Sequence, residues 1–492
     1  LYFNNFKELF IHFYGTVVMR YMKIGTLISA GVLMLSSMIL NSGCSEVGNG
    51  RKQTTENPGA IFGEVKSAAG AKMLTPIALR GDKKATGHLF FELSEPAEQE
   101  VAVTFKLDSR ILDAYNQLNG TGYTMYPADK LLLENNGNVV VEAGKSKSAT
   151  LALDILPGGT EGATYAVAVS AVATAGTEKH TDNKAFIYLV KPLAAMPEVN
   201  AGRKVKNLCY VEVNRESMLN AGEYTMKSDK SPFFDIASVF AANIRLSADD
   251  VPYVSCNEQT RFVLDNIEQT VRPLQAKGIR VHLSILGDHT AAGMRSLSKD
   301  AARAFAKDLK AYIDIYGFDG IDFDDEYSTY ATDQAVEPYI PSDAVAPSIE
   351  ECTSQRYADL VYESRKLMPD KTIGIYWYAG YDYPVGTVEG KTVDELIDYS
   401  IYGYYGKWKA IPADTVSIAK QCPYAIEVTT ARGDVKIDDD CLKNIRQNGW
   451  GYFAVYDLNN ERSYEKEFSR ISRLLYDDEV EWSGKQYERT GW

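Results

Sequence analysis

The chain has 492 residues, room for two or three domains, and its 45% hydrophobic and 24% charged content is ordinary for a globular protein. A formal charge of −14 argues against a nucleic-acid partner, because phosphate binding needs a basic surface. The 32 tyrosines pair a flat apolar face with a polar tip, which suits sugar binding as well as core packing.

The first segment reads as a targeting signal. Met22-Lys23 is followed by an apolar run from Ile24 to Leu40 and then "NSGCSE" at 41–46. A basic start, a short apolar core and small residues before a cleavage point describe a secretory signal. The glycine before Cys44 resembles the lipobox of bacterial lipoproteins, although Asn41 stands where those signals usually carry leucine. The resemblance implies a lipidated Cys44 and a membrane held through a lipid anchor. Ser45-Glu46 resembles the export signal of surface lipoproteins, which implies the outer-membrane cell surface of a Gram-negative bacterium. Residues 1–43 are expected to be an upstream extension and signal peptide, with Met19 or Met22 as the start. Residues 44–57 are polar and read as a tether.

From 58 to 196 the texture is β. "HLFFEL", "VAVTFKL", "NVVVEA", "SATLALDI", "TYAVAVSAV" and "KAFIYLV" alternate apolar and polar positions, with Gly, Asn, Pro and Asp between them. This spacing predicts an antiparallel all-β, Ig-like sandwich. It resembles the small N-terminal domain of surface glycan-foraging lipoproteins, which implies a spacer or an auxiliary glycan-binding role. Other surface glycan-uptake proteins are then expected as partners.

A linker is expected over 197–206, within the Pro- and Gly-containing stretch that begins at 192. Beyond it, buried strands are predicted near 207–213, 235–242, 279–286, 319–325, 372–378, 398–404, 424–429 and 451–457. Helical stretches such as 260–277 and 300–316 separate them. Eight βα units over 207–480 predict an α/β fold, a (β/α)8 TIM barrel, with the active site at the C-terminal ends of its strands. Residues 481–492 read as a tail.

Five cysteines follow Cys44 with no CxxC pair, so no zinc ribbon or redox motif is present, and an odd number leaves at least one thiol free. Cys209 lies in an apolar strand and is expected to be a buried thiol. The five histidines form no metal-ligand spacing.

One stretch breaks the ordinary pattern. "GFDGIDFDDEYS" (317–328) places five acidic residues in the eight positions from Asp319 to Glu326, among apolar neighbours. On a strand, residues two apart share a face. Asp322, Asp324 and Glu326 therefore point into the barrel mouth, while Ile321, Phe323 and Asp325 point away. Three such carboxyls cannot all ionise cheaply, so at least one is held protonated, as a general acid must be. A calcium loop would need a glycine at its sixth position and a longer ligand run, and has neither.

The spacing DxxDxDxE (Asp319, Asp322, Asp324, Glu326) resembles the signature of glycoside hydrolase family 18. "YVEVNRESMLNAGEY", "VFAANI", "RPLQAKGIRVHLSILGDH", "DYSIYGYYGKW" and "GYFAVYDLN" carry the similarity over 205–475, toward the endoglycosidase H branch of that family. The resemblance implies an endo-β-N-acetylglucosaminidase acting on N-linked glycans of glycoproteins, high-mannose or hybrid. Its mechanism is retaining, with the substrate's own acetamido group as nucleophile. Glu326 is then the acid and base, Asp324 the stabiliser of the acetamido group, Asp322 its proton-sharing neighbour, and Tyr404 the tyrosine that aligns the acetamido oxygen. Expected sugar contacts are Glu212, Asn214, Asn243, His289, Tyr376 and Tyr402. Asp319 reads first as structural and is carried with them. No metal or cofactor is implied, since substrate and carboxyls supply the chemistry. The alternatives are a chitinase-like hydrolase of chito-oligosaccharides and a non-catalytic surface glycan-binding protein.

Overall fold

Alternation along the early strands builds two facing sheets. In the computed structural model the residues described are 63–70, 72–173, 185–330, 347–377, 383–428 and 435–489. The signal, the tether and Cys44 lie outside them. In the strand Ala85–Leu93 every second residue is buried, with Leu89 and Phe91 fully so. That strand lies between Gly63–Ser67 and Leu151–Ile155, and Leu131–Leu133 completes the first sheet. The second sheet runs in the order Leu74–Arg80, Ala185–Leu193, Tyr165–Ala173, Val101–Leu107, Asn138–Val141. Phe91, Phe105, Leu153, Val169 and Tyr188 fill the space between the sheets.

Two features depart from the sequence reading. Ala185–Leu193 pairs with Leu74–Arg80 in parallel, so the second sheet is mixed rather than antiparallel. An α-helix, Ser109–Asn119, interrupts the strands, capped by the Asp108 side chain and ended by Gly120 in the left-handed region. It covers the outer face of the second sheet, where Ala166 and Ala168 are small enough to admit Leu112.

Eight strands, all parallel, follow. They are β1 (Lys206–Glu212), β2 (Ile236–Leu246), β3 (Arg280–Leu286), β4 (Gly320–Asp324), β5 (Thr372–Trp377), β6 (Tyr399–Tyr402), β7 (Ala425–Glu427) and β8 (Tyr452–Tyr456). The spatial order β6-β5-β4-β3-β2-β1-β8-β7 makes a nearly closed barrel. Its seam lies at Pro423. Gln421–Cys422 pairs with β6 and Ala425–Glu427 with β8, and the proline between them has no N–H to continue a ladder.

The outer layer is less regular than eight βα units. Long helices are α1 (Lys299–Tyr316), α2 (Ser354–Leu367), α3 (Asp439–Asn448) and α4 (Glu465–Tyr476). A two-turn 3-10 segment follows β1 (Met218–Glu223), and single turns follow β5 (Val393–Leu396) and β6 (Ile418–Lys420). The stretch 260–277 divides into Glu258–Asp265, Ile267–Thr270 and Arg272–Ala276, the last opened by Pro273, which cannot serve a helix interior.

The sheet domain packs on α1 and on the segment before β3. His88 Nε2 meets Asp314 Oδ2 at 2.7 Å, and Arg80 donates to Gln275 Oε1 at 2.8 Å. Gly317, at φ 63°, ends α1 where an added Cβ would lie 2.8 Å from Ala78 Cβ. Only glycine meets both demands without strain.

Candidate active site

Period-two alternation on β4 sorts its carboxyls. Asp322 is fully buried inside the barrel, with Ser284 of β3 and Gly374 of β5 beside it in register. Its Oδ1 accepts from Ser284 Oγ at 2.6 Å, and its Oδ2 from Ser238 Oγ at 2.8 Å and Tyr399 Oη at 3.4 Å. Burial pushes Asp322 up to about 6, with the three hydroxyl donors pulling the other way.

Asp324 is in the opposite condition. It is 1% exposed, and no hydrogen-bond donor reaches either oxygen. Its neighbour is the carboxyl of Glu326, whose charge acts on it more strongly than that of Asp322. Burial, then the charges of Glu326 and Asp322, hold Asp324 well above the carboxylate range. Ionising Asp324 in this buried position, beside two other carboxyls, is costly, so Asp324 is the group that keeps its proton. Asp322, the expected proton-sharing neighbour, acts on Asp324 through its charge, while its own oxygens accept from three hydroxyls. Asp325 faces outward, as the alternation requires, and pairs with Arg295 at 2.5 Å and Tyr330 Oη at 2.8 Å.

Above the pair opens a cleft of ≈ 290 Å³. Glu326 and Tyr327 line it from the end of β4, Tyr376 from β5, and Tyr404 and Tyr405 from the turn after β6. Phe240, Glu427 and Tyr456 close the far side. Tyr405 and Tyr456 stack at 5.0 Å and 5°, and Tyr376 Oη bonds Tyr405 Oη at 3.0 Å and the Gly403 carbonyl at 3.1 Å. The result is a rigid aromatic wall facing the carboxyl of Glu326. Tyr404 is 44% exposed and Tyr327 53% exposed, so both rings are open to a ligand.

The other expected contacts divide. Glu212, half-buried at the end of β1, accepts from Asn214 Nδ2 at 2.5 Å, and Asn214 accepts from Asn257. Asn243 donates to the Gly287 carbonyl at 2.7 Å, which ties β2 to the loop after β3. His289 sits at the mouth with its ring 5.5 Å from that of Tyr327, and its N–H donates to the Tyr327 carbonyl at 2.7 Å. These four border the cleft residues rather than line the cleft itself.

Tyr402 is corrected as a sugar contact, and Asp319 keeps its first, structural reading rather than the sugar contact carried beside it. Tyr402 is 7% exposed and turned outward, with its ring 4.9 Å from Trp377. Asp319 lies at the opposite end of β4, about 16 Å of extended chain from Asp324. It accepts from Gln275 Nε2 at 2.8 Å and the Val281 N–H at 2.9 Å, so it braces the strand's base.

Sequence reading passed over Ser238, Ser284, Tyr399, Phe240, Tyr327 and Glu427. A signal existed for two of them. Ser284 interrupts the apolar run "VHLSIL", and Glu427 ends the apolar run "YAIE". The others are ordinary strand or turn residues whose place depends on the barrel.

Comparison with known proteins sets the chain beside endo-β-N-acetylglucosaminidases. Endo-β-N-acetylglucosaminidase F1 of Elizabethkingia meningoseptica is 32% identical over 291 residues, 58% of this chain and 82% of the relative. Endo-β-N-acetylglucosaminidase of Flavobacterium sp. (strain SK1022) is 30% identical over 271 residues, 55% of this chain and 80% of the relative. The crystal structure of Bacteroides thetaiotamicron EndoBT-3987 with Man5GlcNAc product matches 86% of this chain and 97% of its own, at 26% identity and a TM-score of 0.51. The same protein in complex with Man9GlcNAc2Asn substrate matches at 24% identity and a TM-score of 0.51, a likeness of fold. A family model described as an N-terminal domain matches residues 65–178.

Proposed function

The chain belongs to the endo-β-N-acetylglucosaminidase family, and from that premise we propose that it hydrolyses the β-1,4 bond between the two core GlcNAc residues of N-linked glycans. The observation that carries the reading is the buried, donor-free Asp324 beside Glu326 at the floor of a cleft walled by tyrosines, an arrangement in which the two carboxyls can share one proton. The Man5GlcNAc product named for EndoBT-3987 carries a single GlcNAc, which supports high-mannose glycans and this position of cleavage. Hybrid glycans are the second class considered.

The chemistry follows from the proton's place. Glu326 gives it to the glycosidic oxygen as the C1–O bond breaks, and the carbonyl oxygen of the substrate's 2-acetamido group forms the new bond to C1. Asp324, then ionised, accepts the acetamido N–H and faces the positive oxazolinium ring. Tyr404 aligns the acetamido oxygen. Water next attacks C1 and yields its proton to Glu326, the acetamido group is restored, and configuration is retained. This makes the chain a family 18 hydrolase with a TIM barrel, a mannosyl-glycoprotein endo-β-N-acetylglucosaminidase. The sheet domain reads as an Ig-like spacer, and Cys44 as the lipid anchor to the outer surface of a Gram-negative cell, beside other glycan-uptake proteins.

Mass spectrometry of ribonuclease B after incubation with the protein tests the reading. One residual GlcNAc per site is expected, with Glu326→Gln folded and slower by about a thousandfold. Intact glycans on that substrate and on hybrid glycoproteins would overturn it.

A further inference from the structure

Beneath the carboxyls the barrel holds a histidine that the chemistry above does not use. His282 lies on β3, fully buried, two residues before Ser284 and on the same inward face. Its Nδ1 is 3.0 Å from Tyr399 Oη, and the two rings stack at 5.9 Å and 17°. Tyr399 Oη in turn donates to Asp322 Oδ2. His282 Nε2 is buried with no hydrogen-bond partner. Neighbouring strands leave room for this arrangement. An added Cβ on Gly320 would lie 2.7 Å from His282 Nε2, and one on Gly374 would lie 2.1 Å from the Tyr399 ring.

Counting protons decides the tautomer. A phenol has one proton, and if Tyr399 gives it to Asp322, its oxygen can only accept from His282. Nδ1 must then carry the imidazole proton and Nε2 none. The reverse tautomer would bury an N–H with no acceptor and would draw the Tyr399 proton away from Asp322. A buried orphan donor is the rarer and costlier defect. A charged ring is disfavoured too, since burial, with Arg280 and Lys371 acting in the same direction, lowers His282 to about 3.

We propose that His282, as the neutral Nδ1–H tautomer, is a positioning residue that holds Tyr399 as a standing donor to Asp322. Asp322 is thereby kept as the acceptor of three hydroxyl protons, and the mobile proton stays on the Asp324–Glu326 pair. The proposal rests on the catalytic reading of those three carboxyls given above. Tyr399 from β6, Tyr210 from β1 and Asp324 of its own strand are the titratable groups that face Asp322. Each donor to a carboxylate favours its ionised form, so losing one raises the pH at which Asp322 takes a proton. Activity that needs Asp322 ionised is then lost at a higher pH.

Nitrogen-15 NMR of the histidine-labelled full protein, from pH 5 to 8, reads the tautomer without substrate. One imidazole is expected with a slowly exchanging Nδ1–H and a bare Nε2, and its signal should vanish in His282→Asn. An Nε2–H tautomer, or titration within that range, overturns the proposal. Kinetics reads the consequence. Tyr399→Phe and His282→Phe should move the acidic limb of kcat/KM up by about half to one pH unit. His282→Asn, whose amide N–H stands near the position of Nδ1–H, should move it back. An unmoved limb with a uniform loss across pH means packing alone and also overturns the proposal. If His282→Phe does not fold, Tyr399→Phe, which removes only a hydroxyl, decides the kinetic arm. A protein that releases no glycan sinks the functional reading, while the tautomer remains readable.

Discussion

On the proposed reading Asp324 and Glu326 divide one proton, since Asp324 is buried with no hydrogen-bond donor on either oxygen. Replacing Asp324 by Asn removes a negative neighbour and supplies an N–H donor to Glu326, and both changes favour the ionised form of Glu326. Asp324→Asn should therefore lower kcat by about 10²- to 10⁴-fold and shift the basic limb of the pH–rate profile downward. A pH profile of glycan release checks both, and an unmoved basic limb would deny the coupling. Glu427 is the second carboxylate of the cleft wall. If the substrate's acetamido group is the nucleophile, Glu427 serves as a hydroxyl acceptor only. Glu427→Gln should then raise KM by about tenfold or less with kcat nearly kept. A kcat loss as deep as that of Glu326→Gln, with a glycosyl adduct trapped on Glu427, would replace the substrate-assisted route. The sequence made the β4 carboxyls legible because strict alternation holds from Asp322 to Asp324. It misplaced Tyr402 because β6 ends there. The chain turns at Gly403, and the adjacent Tyr404 and Tyr405 then both reach the cleft.

Strands were easier to read than helices, for a physical reason. A buried barrel strand is a short apolar run whose neighbours are all strands, so its pattern survives in the sequence, and β1 to β8 fall within a few residues of their expected places. The outer layer has weaker demands. A single turn can cover β5 or β6 as long as some apolar residue does, as Val393 and Leu396 do after β5. Packing between strands sets further requirements that no propensity reveals. Gly374 lies opposite Tyr399 in register, and the ring fills the space where a side chain would stand. Gly374→Ala should destabilise the protein by about 1–3 kcal/mol through overpacking. Adding Tyr399→Leu, which vacates part of that space, should recover some of the loss. Thermal unfolding of the two variants tests this, and a Gly374→Ala protein as stable as the parent would show that the ring can move aside.

At the scale of the whole molecule, the sequence announced two textures but not how they meet. The residues that join them (Arg80, His88, Gln275 and Asp314) are isolated polar positions in otherwise regular elements, and each reads alone as a solvated surface residue. The interface makes Asp314 the informative one. Burial would raise its carboxyl, but the hydrogen bond from the His88 ring and the charges of Lys310 and His88 outweigh burial and hold it below the ordinary value. A carboxyl lowered in the folded state adds stability above its unfolded value, about pH 4, and that stability disappears as pH falls through the folded value. Asp314→Asn should therefore cost about 1–3 kcal/mol at pH 7, between the values for an exposed pair and a fully buried pair that loses one charge. The difference from the parent should shrink at an acid pH below the folded value, where Asp314 is itself neutral. Asp314 sits on the outer helix α1, well away from the cleft, so glycan release should hold at the parental rate. Calorimetry at the two pH values measures the effect. An equal gap at both would assign the loss to packing and remove the ion pair from the account of how the sheet domain is held to the barrel.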